Sequence, residues 1–311
     1  MIIFGPIPSR RLGQSLGINN IPPKVCSYAC IYCQIGQAIK MDVYRNSFYS
    51  PDEIFKKVSE KVEKVYSVNE TIDYLAFVPD GEPTLDINLG NEIDLLKPIG
   101  IKIAVITNSS LLWRKDVRDE LMKADCVSIK IDTLHKKLWK RIDRPYKTLK
   151  LAFILDGILK FSNDFKGKLI TESMLVKGIN DNIEHLEEMA NFIEKVKPSI
   201  AYLAIPTRPP AMKNVHGPDE NFINQAFQIF KEKIDIVEYL IGYEGNSFAF
   251  TGNVEEDILS ITSVHPMRED AVRAYLEKAQ TDWAVIMSLI DQKKLIKIKF
   301  EGKNFYLKKL K

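Results

Sequence analysis

The stretch that decides the fold reads Thr71-Ile-Asp-Tyr-Leu-Ala-Phe-Val78, followed by Pro-Asp-Gly-Glu-Pro-Thr84. Its first eight residues are mostly apolar, aromatic or β-branched, which is typical of a strand buried inside a sheet. The six that follow are rich in turn-forming residues. The sequence therefore predicts a strand that ends at Val78 and delivers polar groups to its carboxyl end.

The same unit repeats along the chain. Apolar runs predict further strands at 101–108, 126–133, 168–177 and 200–206, and helical patterns separate them at 91–100, 117–124, 149–163, 182–198 and 218–234. This alternation predicts an α/β fold with a parallel sheet. Periodicity leaves open a complete (β/α) barrel, a partial one and an open doubly wound sheet. In each of them, ligands bind at the carboxyl ends of the strands.

The pattern changes near Gly252. Three short helices are predicted at 254–262, 266–279 and 281–294, followed by a hairpin at 295–310 around Glu-Gly-Lys-Asn. This order predicts a small winged helix-turn-helix domain. We therefore expect two domains, 1–252 and 253–311.

The composition is that of a globular protein. The chain has 311 residues, 45% of them hydrophobic, and a net charge of +3 from 44 basic and 41 acidic side chains. No apolar run reaches the ~18–20 residues of a transmembrane helix. At the N-terminus the arginines follow the apolar residues, the reverse of a signal peptide. We expect a cytoplasmic protein without a membrane partner.

Three of the four cysteines form a tight cluster with the spacing Cys26-x3-Cys30-x2-Cys33. Such clusters bind metals more often than they form disulfides in a protein without a signal peptide. Three thiolates suit an iron–sulfur cluster that keeps one iron open for another ligand. A structural zinc site is the alternative, and it needs a fourth ligand such as His135 or Cys126. Cys126 otherwise reads as a small core residue.

This spacing, with Tyr32 before the last cysteine, resembles the radical S-adenosylmethionine (SAM) superfamily. The resemblance implies a partial (β/α)6 TIM-like barrel and a [4Fe–4S] cluster on Cys26, Cys30 and Cys33. It also implies that SAM chelates the open iron and is cleaved to methionine and a 5′-deoxyadenosyl radical that abstracts hydrogen. An external electron donor such as ferredoxin or flavodoxin is then required.

The resemblance also implies contacts to SAM after the first two strands. Asp80-Gly81-Glu82-Pro83 resembles the Gly-Gly-Glu-Pro motif that holds the methionine amino group, with Asp80 in place of the first glycine. The alternative is an ordinary Asp-Gly turn. Thr107-Asn108 resembles the superfamily's Thr-Asn-Gly, and the alternative is a helix cap.

Further contacts are implied on the later strands. Alternation sends Ser128, Lys130 and Asp132 to one face. There the resemblance implies that Lys130 binds the SAM carboxylate with help from Ser128, while a Lys130–Asp132 ion pair is the alternative. It implies a ribose contact for Glu172, with an internal ion pair as the alternative, and a backbone contact from Ile205 to adenine.

Three stretches are similar to a group related to the wyosine-forming tRNA enzymes. They are Phe4 to Ile18, which contains Arg10 and Arg11, Asp80 to Asp86, and Ile261 to Arg268. The two arginines are expected to bind a substrate anion, to support the cluster region, or to pair with nearby carboxylates. The chain lacks the further cysteines of the archaeal wyosine-forming enzymes, so their two-cluster reaction is not expected here.

The C-terminal tail suggests a partner. From Lys293 to Lys311 there are eight lysines and one acid, with Phe300, Phe305 and Tyr306 among them. A basic wing suits nucleic acid, a winged helix also binds peptides or proteins, and a purely structural hairpin is the third interpretation. We therefore expect a radical SAM enzyme acting on a tRNA base or on a peptide or protein. An iron–sulfur-sensing winged-helix regulator is the alternative.

Overall fold

The computed structural model describes residues 2–78, 80–242 and 245–309. Pro79, which precedes the Asp80-Gly81-Glu82-Pro83 motif in the sequence, and the tail residues Leu310 and Lys311 lie outside the described residues. The strands are β1 Ile3–Ser9, β2 Gly13–Ile18, β3 Val25–Cys26, β4 Lys40–Met41, β5 Tyr74–Phe77, β6 Lys102–Thr107, β7 Cys126–Lys130, β8 Lys168–Met174, β9 Ile200–Ala204, β10 Val237–Leu240, β11 Met267–Arg268, β12 Leu295–Phe300 and β13 Lys303–Lys308. The helices are α1 Pro51–Ser67, α2 Leu89–Leu96, α3 Lys115–Leu121, α4 Lys136–Ile142, α5 Leu151–Asp164, α6 Ile183–Val196, α7 Glu220–Lys231, α8 Val254–Val264, α9 Glu269–Lys278 and α10 Ala284–Asp291.

Eight of the described strands form one sheet in the order β1-β2-β5-β6-β7-β8-β9-β10. Every neighbouring pair from β2 to β10 is parallel, and only β1 runs antiparallel, along the edge of β2. The sheet curls into a half-barrel, the partial TIM-like barrel that the resemblance to the radical SAM superfamily implied. The α/β fold class is therefore confirmed.

Burial on both faces explains the apolar strands. Small and aromatic side chains of successive strands pack together in one cluster: Ala76, Ala104, Cys126, Ile170 and Tyr202. Residues that alternate with them join the main core with the helices, among them Leu75, Val105 and Val127. Cys126 is fully buried in this packing, so it is a core residue.

The N-terminal hairpin β1–β2 was not predicted. Its sequence is rich in glycine and proline, including Gly5, Pro6 and Pro8, so it lacks the alternation that marks a strand. From the turn of this hairpin, Arg10 Nη1 donates to the Tyr239 carbonyl of β10 at 3.0 Å. Arg10 thus connects the two edges of the curled sheet.

Residues 254–309, which we call the C-terminal unit, contain α8 to α10 and the sheet β11-β13-β12. The predicted helices and hairpin are confirmed. The unit shares its core with the first strand, because Phe4 and Ile7 pack with Ile258, Val264 and Tyr275. The unit is therefore fixed against β1.

None of the helices in the described ranges has the length and apolar character needed to cross a membrane.

Candidate functional site

The three clustered cysteines lie in residues 24–36, here called the cysteine loop, and their side chains line one cavity of about 330 Å³. The cavity lies at the carboxyl ends of the parallel strands, where this class of fold binds ligands. Eight other predicted site residues line the same cavity: Tyr32, Gly81, Thr107, Asn108, Ser128, Lys130, Glu172 and Ile205.

Hydrogen bonds to α4 hold the cysteine loop in place. Ile31 N donates to the Ile142 carbonyl at 2.9 Å, and Trp139 Nε1 donates to the Tyr28 hydroxyl at 3.1 Å. The loop is thus fixed along its length although it has little regular secondary structure.

The environment of the three thiols suits bound metal. Burial, reinforced by Glu82, raises the pKa of Cys26 to about 12. Burial also raises the pKa of Cys30, where Asp143 adds to the effect, and the pKa of Cys33. Thiolates at these positions need a strong positive charge beside them, which a metal cluster supplies. The donor set and the cavity therefore fit an iron–sulfur cluster.

The described residues do not form a single-ion site. Within residues 2–78, 80–242 and 245–309, no three His, Cys, Asp or Glu side chains are grouped to hold a metal ion. His135, one proposed fourth ligand for zinc, instead bonds to Glu188 and packs its ring 4.1 Å from that of His185. Cys126, the other, is buried in the strand cluster. Neither proposed fourth ligand lines the cavity formed by the described residues.

Tyr32 anchors the end of the cysteine loop to two buried carboxyl groups. Its hydroxyl donates to Asp132 and lies 3.1 Å from Asp143 Oδ1. Asp143 Oδ1 also lies 3.4 Å from Cys30 Sγ, within range of a thiol hydrogen bond. Burial and Asp132 raise the pKa of Asp143 well above its ordinary value. Sequence reasoning missed Asp143, because no local pattern connects it to a cysteine so far away in the chain.

Gly81 places the turn after β5 directly against the cysteine loop. A Cβ on Gly81 would lie 1.9 Å from the Val25 carbonyl oxygen, so no larger residue fits there. Glu82 N donates to the same carbonyl at 3.2 Å, and Lys24 N donates to the Asp80 carbonyl at 2.5 Å. The two motifs predicted from the sequence are therefore one joined structure.

The Glu82 carboxylate is fully buried and is not part of the cavity lining. It accepts four hydrogen bonds, from Thr84 N at 3.1 Å, Thr84 Oγ1 at 2.6 Å, Thr107 Oγ1 at 2.6 Å and Asn108 N at 2.7 Å. Pro83 begins a short helical turn and is also buried. Of the described residues, Glu82 and Pro83 are the two predicted SAM contacts that do not line the cavity. Glu82 instead joins the ends of β5 and β6.

Asp80, the residue that replaces the superfamily's first glycine, does line the cavity. Its side chain is buried, and Oδ1 has no hydrogen-bond partner among the described residues. Burial raises its pKa to about 7, against the lowering effect of Lys24 and Lys308. Its backbone is fixed, because Asp80 N donates to Asn19 Oδ1 at 3.0 Å. The cavity therefore contains a preorganised carboxyl group with an unused acceptor.

Asn108 connects the end of β6 to the cysteine loop. Its Nδ2 donates to Ser27 Oγ at 3.0 Å and lies 3.5 Å from Cys26 Sγ. Its Oδ1 accepts from Ser110 N at 2.9 Å, so the side chain also caps the following turn. Asn108 therefore caps a turn and not a helix, since α3 begins only at Lys115, and it also lines the cavity.

Lys130 and Glu172 form an ion pair inside the cavity. Lys130 Nζ lies 2.8 Å from Glu172 Oε1 and 4.9 Å from the centre of the Tyr32 ring. Burial lowers the pKa of Lys130, but Glu172 and Asp132 outweigh it and raise the pKa above its ordinary value. The hydrogen-bonded partner of Lys130 is thus Glu172, while the Asp132 carboxylate accepts from Tyr32.

Arg11 is the second cation on Glu172, bonding to Oε2 from the turn between β1 and β2. Arg11 therefore pairs with a carboxylate, which was one of its expected roles. Ser128, from the same face as Lys130, is buried in the cavity wall. Ile205 lines the wall just after β9.

The C-terminal unit forms part of the same cavity wall through Val264 and His265. Gln34, next to Cys33, donates from Nε2 to the Val264 carbonyl at 3.0 Å. Arg208 Nη1 donates to Gln34 Oε1 at 2.6 Å, and Arg208 Nη2 lies 2.7 Å from His265 Nε2. Sequence reasoning missed these residues, because they meet only in the folded chain.

The aromatic residues of the basic hairpin are buried, not exposed. Phe300 stacks parallel to His216, with ring centres 6.0 Å apart, and also packs edge-on against Phe305. Tyr306 packs edge-on against Trp283 at 5.6 Å. These rings are therefore not available to stack on bases, and the packing agrees with the structural interpretation of the hairpin.

The profile of the Radical SAM superfamily matches residues 20–193, which include the cysteine loop and the strand ends β5 to β8. The chain belongs to the radical SAM superfamily. It is also 48% identical to the UPF0026 protein MJ1312 of Methanocaldococcus jannaschii over 100% of this chain and 97% of that protein. A UPF0026 protein of Helicobacter pylori is 34% identical over 68% of each chain.

Solved structures show the same fold. The structure of TYW1 with a lysine-pyruvate adduct bound has a TM-score of 0.56 at 17% identity and covers 72% of this chain and 76% of its own. Streptococcus suis SuiB bound to S-adenosylmethionine has a TM-score of 0.52 at 14% identity and covers 72% of this chain and 49% of its own. At these identities the likeness establishes the fold alone. Membership of the superfamily makes the protein a radical SAM enzyme that uses a [4Fe–4S] cluster and SAM.

Proposed function

We propose that Cys26, Cys30 and Cys33 bind the [4Fe–4S] cluster and that SAM occupies the adjoining cavity. The observation that carries this proposal is the convergence of the three cysteines with Asp80 and Lys130 on one cavity. Three cysteine ligands leave one iron for the amino and carboxylate groups of SAM, as the superfamily's chemistry requires. When bound, the cluster and SAM supply an electron and a 5′-deoxyadenosyl radical that abstracts hydrogen.

The residues around the cavity suit the charged groups of SAM. We assign the methionine ammonium to Asp80 and the backbone of Gly81, because the Asp80 carboxyl has a buried, unused acceptor. Lys130 binds the SAM carboxylate, with Ser128 beside it. Glu82 and Pro83, predicted as direct contacts, become positioning residues that hold the turn in place.

The remaining contacts follow the strand order. Glu172 accepts from the ribose hydroxyls while Arg11 keeps its charge balanced, and Ile205 offers backbone atoms to adenine. Thr107 supports the site through Glu82, and Asn108 orients the cysteine loop. The Tyr32 ring positions Lys130 through a cation–π contact with its ammonium group.

The chain's own residues bind, orient and exclude water, and the electron comes from outside. A ferredoxin or flavodoxin in the cytoplasm is the donor that we propose. A reactive radical takes hydrogen from whatever group is positioned beside it, so the shape of the cavity determines the substrate.

SAM cleavage tests the proposal. Anaerobically reconstituted, reduced protein should convert SAM to 5′-deoxyadenosine. Cys33→Ala should abolish the product, whereas Cys126→Ala, at a cysteine outside the site, should retain it. If the wild type binds a cluster but releases no more product than Cys33→Ala, the enzyme proposal fails and the iron–sulfur-sensing regulator is favoured.

We propose a tRNA base as the substrate. The support is a relative named dual-specificity RNA methyltransferase RlmN, of Buchnera aphidicola, which is 30% identical over 56% of this chain and 50% of its own. Lysines such as Lys299 and Lys303 on the hairpin suit phosphate contacts. Binding of the holoprotein to total tRNA should weaken with salt, and Lys299→Gln should reduce the salt slope by about 0.9 per lost contact.

A peptide or protein substrate is the second candidate. It is favoured by the buried hairpin aromatics and by exposed apolar residues of the C-terminal unit, Met287, Ile296 and Ile298. SuiB, whose structure has been solved bound to precursor peptide SuiA, has a related fold. If the holoprotein binds no tRNA and a defined peptide copurifies with it, this candidate replaces the tRNA proposal.

We also propose that residues 253–311 form a winged-helix domain and residues 1–252 the barrel domain. The support is the order of elements, in which α8, β11, α9 and α10 precede the hairpin of β12 and β13. Asn253 caps α8 by accepting from Glu256 N at 3.1 Å, which marks a clear start.

A further inference from the structure

We propose that the C-terminal unit is a wall of the reaction chamber, coupled to the cluster through Gln34. The inference rests on the proposed position of the cluster at the cysteine loop. It assigns Gln34 and Arg208 as positioning residues and His265 as a residue that faces the substrate.

Contact between the unit and the cavity is direct. Val264 and His265 end α8 and line the cavity together with the cysteines. Both residues are buried, so they are part of a packed wall and not of a mobile tether. The unit also packs on β1 through Phe4 and Ile7, whose side chains line the same cavity.

Gln34 is positioned to transmit changes between the cluster and the unit. It follows the cluster ligand Cys33 in the chain, and its side-chain amide makes one bond to the C-terminal unit and one to the loop after β9. Its Nε2 donates to the Val264 carbonyl at 3.0 Å, and its Oε1 accepts from Arg208 at 2.6 Å. Arg208, in the loop after β9, reaches His265 at 2.7 Å, so one series of side-chain bonds connects the cysteine loop, the barrel and the unit.

A second contact holds the tip of the hairpin. His216, in the loop that follows β9, stacks on Phe300 at 6.0 Å and lies 3.8 Å from Glu301. The same loop bonds to the cysteine loop, where Met212 N donates to the Ile31 carbonyl at 3.0 Å. The unit is therefore fixed to the β9 loop at two places, near α8 and at the hairpin tip.

The size of the cavity places the substrate against this wall. A volume of about 330 Å³ is at the lower end of pockets that take one drug-sized ligand. With SAM inside it at the cysteines, the reacting group of the substrate lies against the wall formed by Val264 and His265. The group that reacts is therefore a single small moiety, such as one base or one side chain.

Thermodynamic linkage makes the coupling measurable. If the cluster orders the cysteine loop, and Gln34 bonds that loop to the unit, then loading the cluster stabilises the docked unit and the docked unit retains the cluster. Amide hydrogen exchange reports such local opening.

The experiment compares apoprotein and reconstituted holoprotein by hydrogen exchange, and measures the rate at which a chelator removes iron. In the wild type, residues 254–268 should exchange more slowly after loading. Gln34→Met and Arg208→Met should lose that protection and release iron ~10-fold faster, the effect of one or two lost hydrogen bonds. Gln292→Met, at an exposed amide that bonds within α10, should behave as the wild type.

Arg208→Met distinguishes the coupling from a local loss of folding in Gln34→Met, because its substitution lies outside the cysteine loop. Equal protection and equal iron release in all four proteins would overturn the inference. A failure of the wild type to cleave SAM, with the coupling intact, would instead reject the proposed function and leave the inference standing.

Discussion

At the scale of single residues, hydrogen bonding separates buried carboxylates that hold the structure from those that serve the site. Glu82 has four donors, whereas Asp80 has a buried oxygen without a partner among the described residues. The motif alone predicted Glu82, and not Asp80, as a SAM contact, because the superfamily's pattern has glycine at the place of Asp80.

Asp80→Asn tests this assignment. Loss of a charge-assisted hydrogen bond to the SAM ammonium should weaken SAM binding by about 10- to 100-fold, with iron content unchanged. Equilibrium dialysis of the holoprotein measures the affinity, and Asp119→Asn, at an exposed carboxylate, is the control. Equal SAM affinity in the wild type and both variants would show that Asp80 does not bind the ammonium.

Glu92 predicts a pH effect on stability. Burial and nearby Asp86 raise the pKa of Glu92 well above its ordinary 4.5. The folded state therefore keeps Glu92 protonated at pH values where the unfolded chain releases the proton, so stability falls as the pH rises above about 4.5.

Glu92→Gln should remove this fall, which amounts to at most about 1.4 kcal/mol per pH unit. Urea unfolding of the apoprotein at pH 5 and pH 8 measures it. The variant should lose less free energy of unfolding than the wild type between the two pH values. A parallel loss in both would show that Glu92 does not bind the proton.

At the scale of elements, the sequence predicted what depends on local pattern. The apolar runs predicted β5 to β9 with ends within a few residues, because strands buried on both faces contain few polar residues. The hairpin β1–β2 was missed, because its glycines and prolines hide the pattern. The cysteines could be predicted from their spacing, and eight further cavity-lining residues from the strand ends and the resemblance to the superfamily. Gln34 and His265 could not, because tertiary folding alone brings them together.

The turn after β5 predicts a sharp substitution effect. In Gly81→Ala the new Cβ would lie 1.9 Å from the Val25 carbonyl oxygen, so the turn and the cysteine loop must separate. We expect reconstituted iron to fall to less than about half, with a loss of stability of roughly 1–3 kcal/mol.

Gly100→Ala is the matched control. Gly100 has a φ of +79°, and a Cβ added there would meet no neighbour within 4 Å among the described residues. Alanine at this position therefore costs about 1 kcal/mol for the left-handed backbone and changes nothing in the site. If both variants load iron equally, the close contact at Gly81 is not needed for the cluster.

At the scale of the whole molecule, one open half-barrel and one C-terminal unit enclose a single chamber. The barrel supplies the cysteines and the strand-end side chains, and the unit supplies Val264 and His265. The basic charge of the hairpin is partly used inside the protein, since Lys294 pairs with Glu255 at 2.6 Å and Lys297 lies 3.6 Å from Glu269.

The central claim is that the cluster bound by Cys26, Cys30 and Cys33 has an open iron which SAM chelates. Electron paramagnetic resonance of the reduced, reconstituted protein tests it most directly, by comparing spectra with and without SAM. We predict a [4Fe–4S] signal whose g-values change on addition of SAM, and no such signal in Cys33→Ala. A cluster spectrum that is the same with and without SAM would contradict the account.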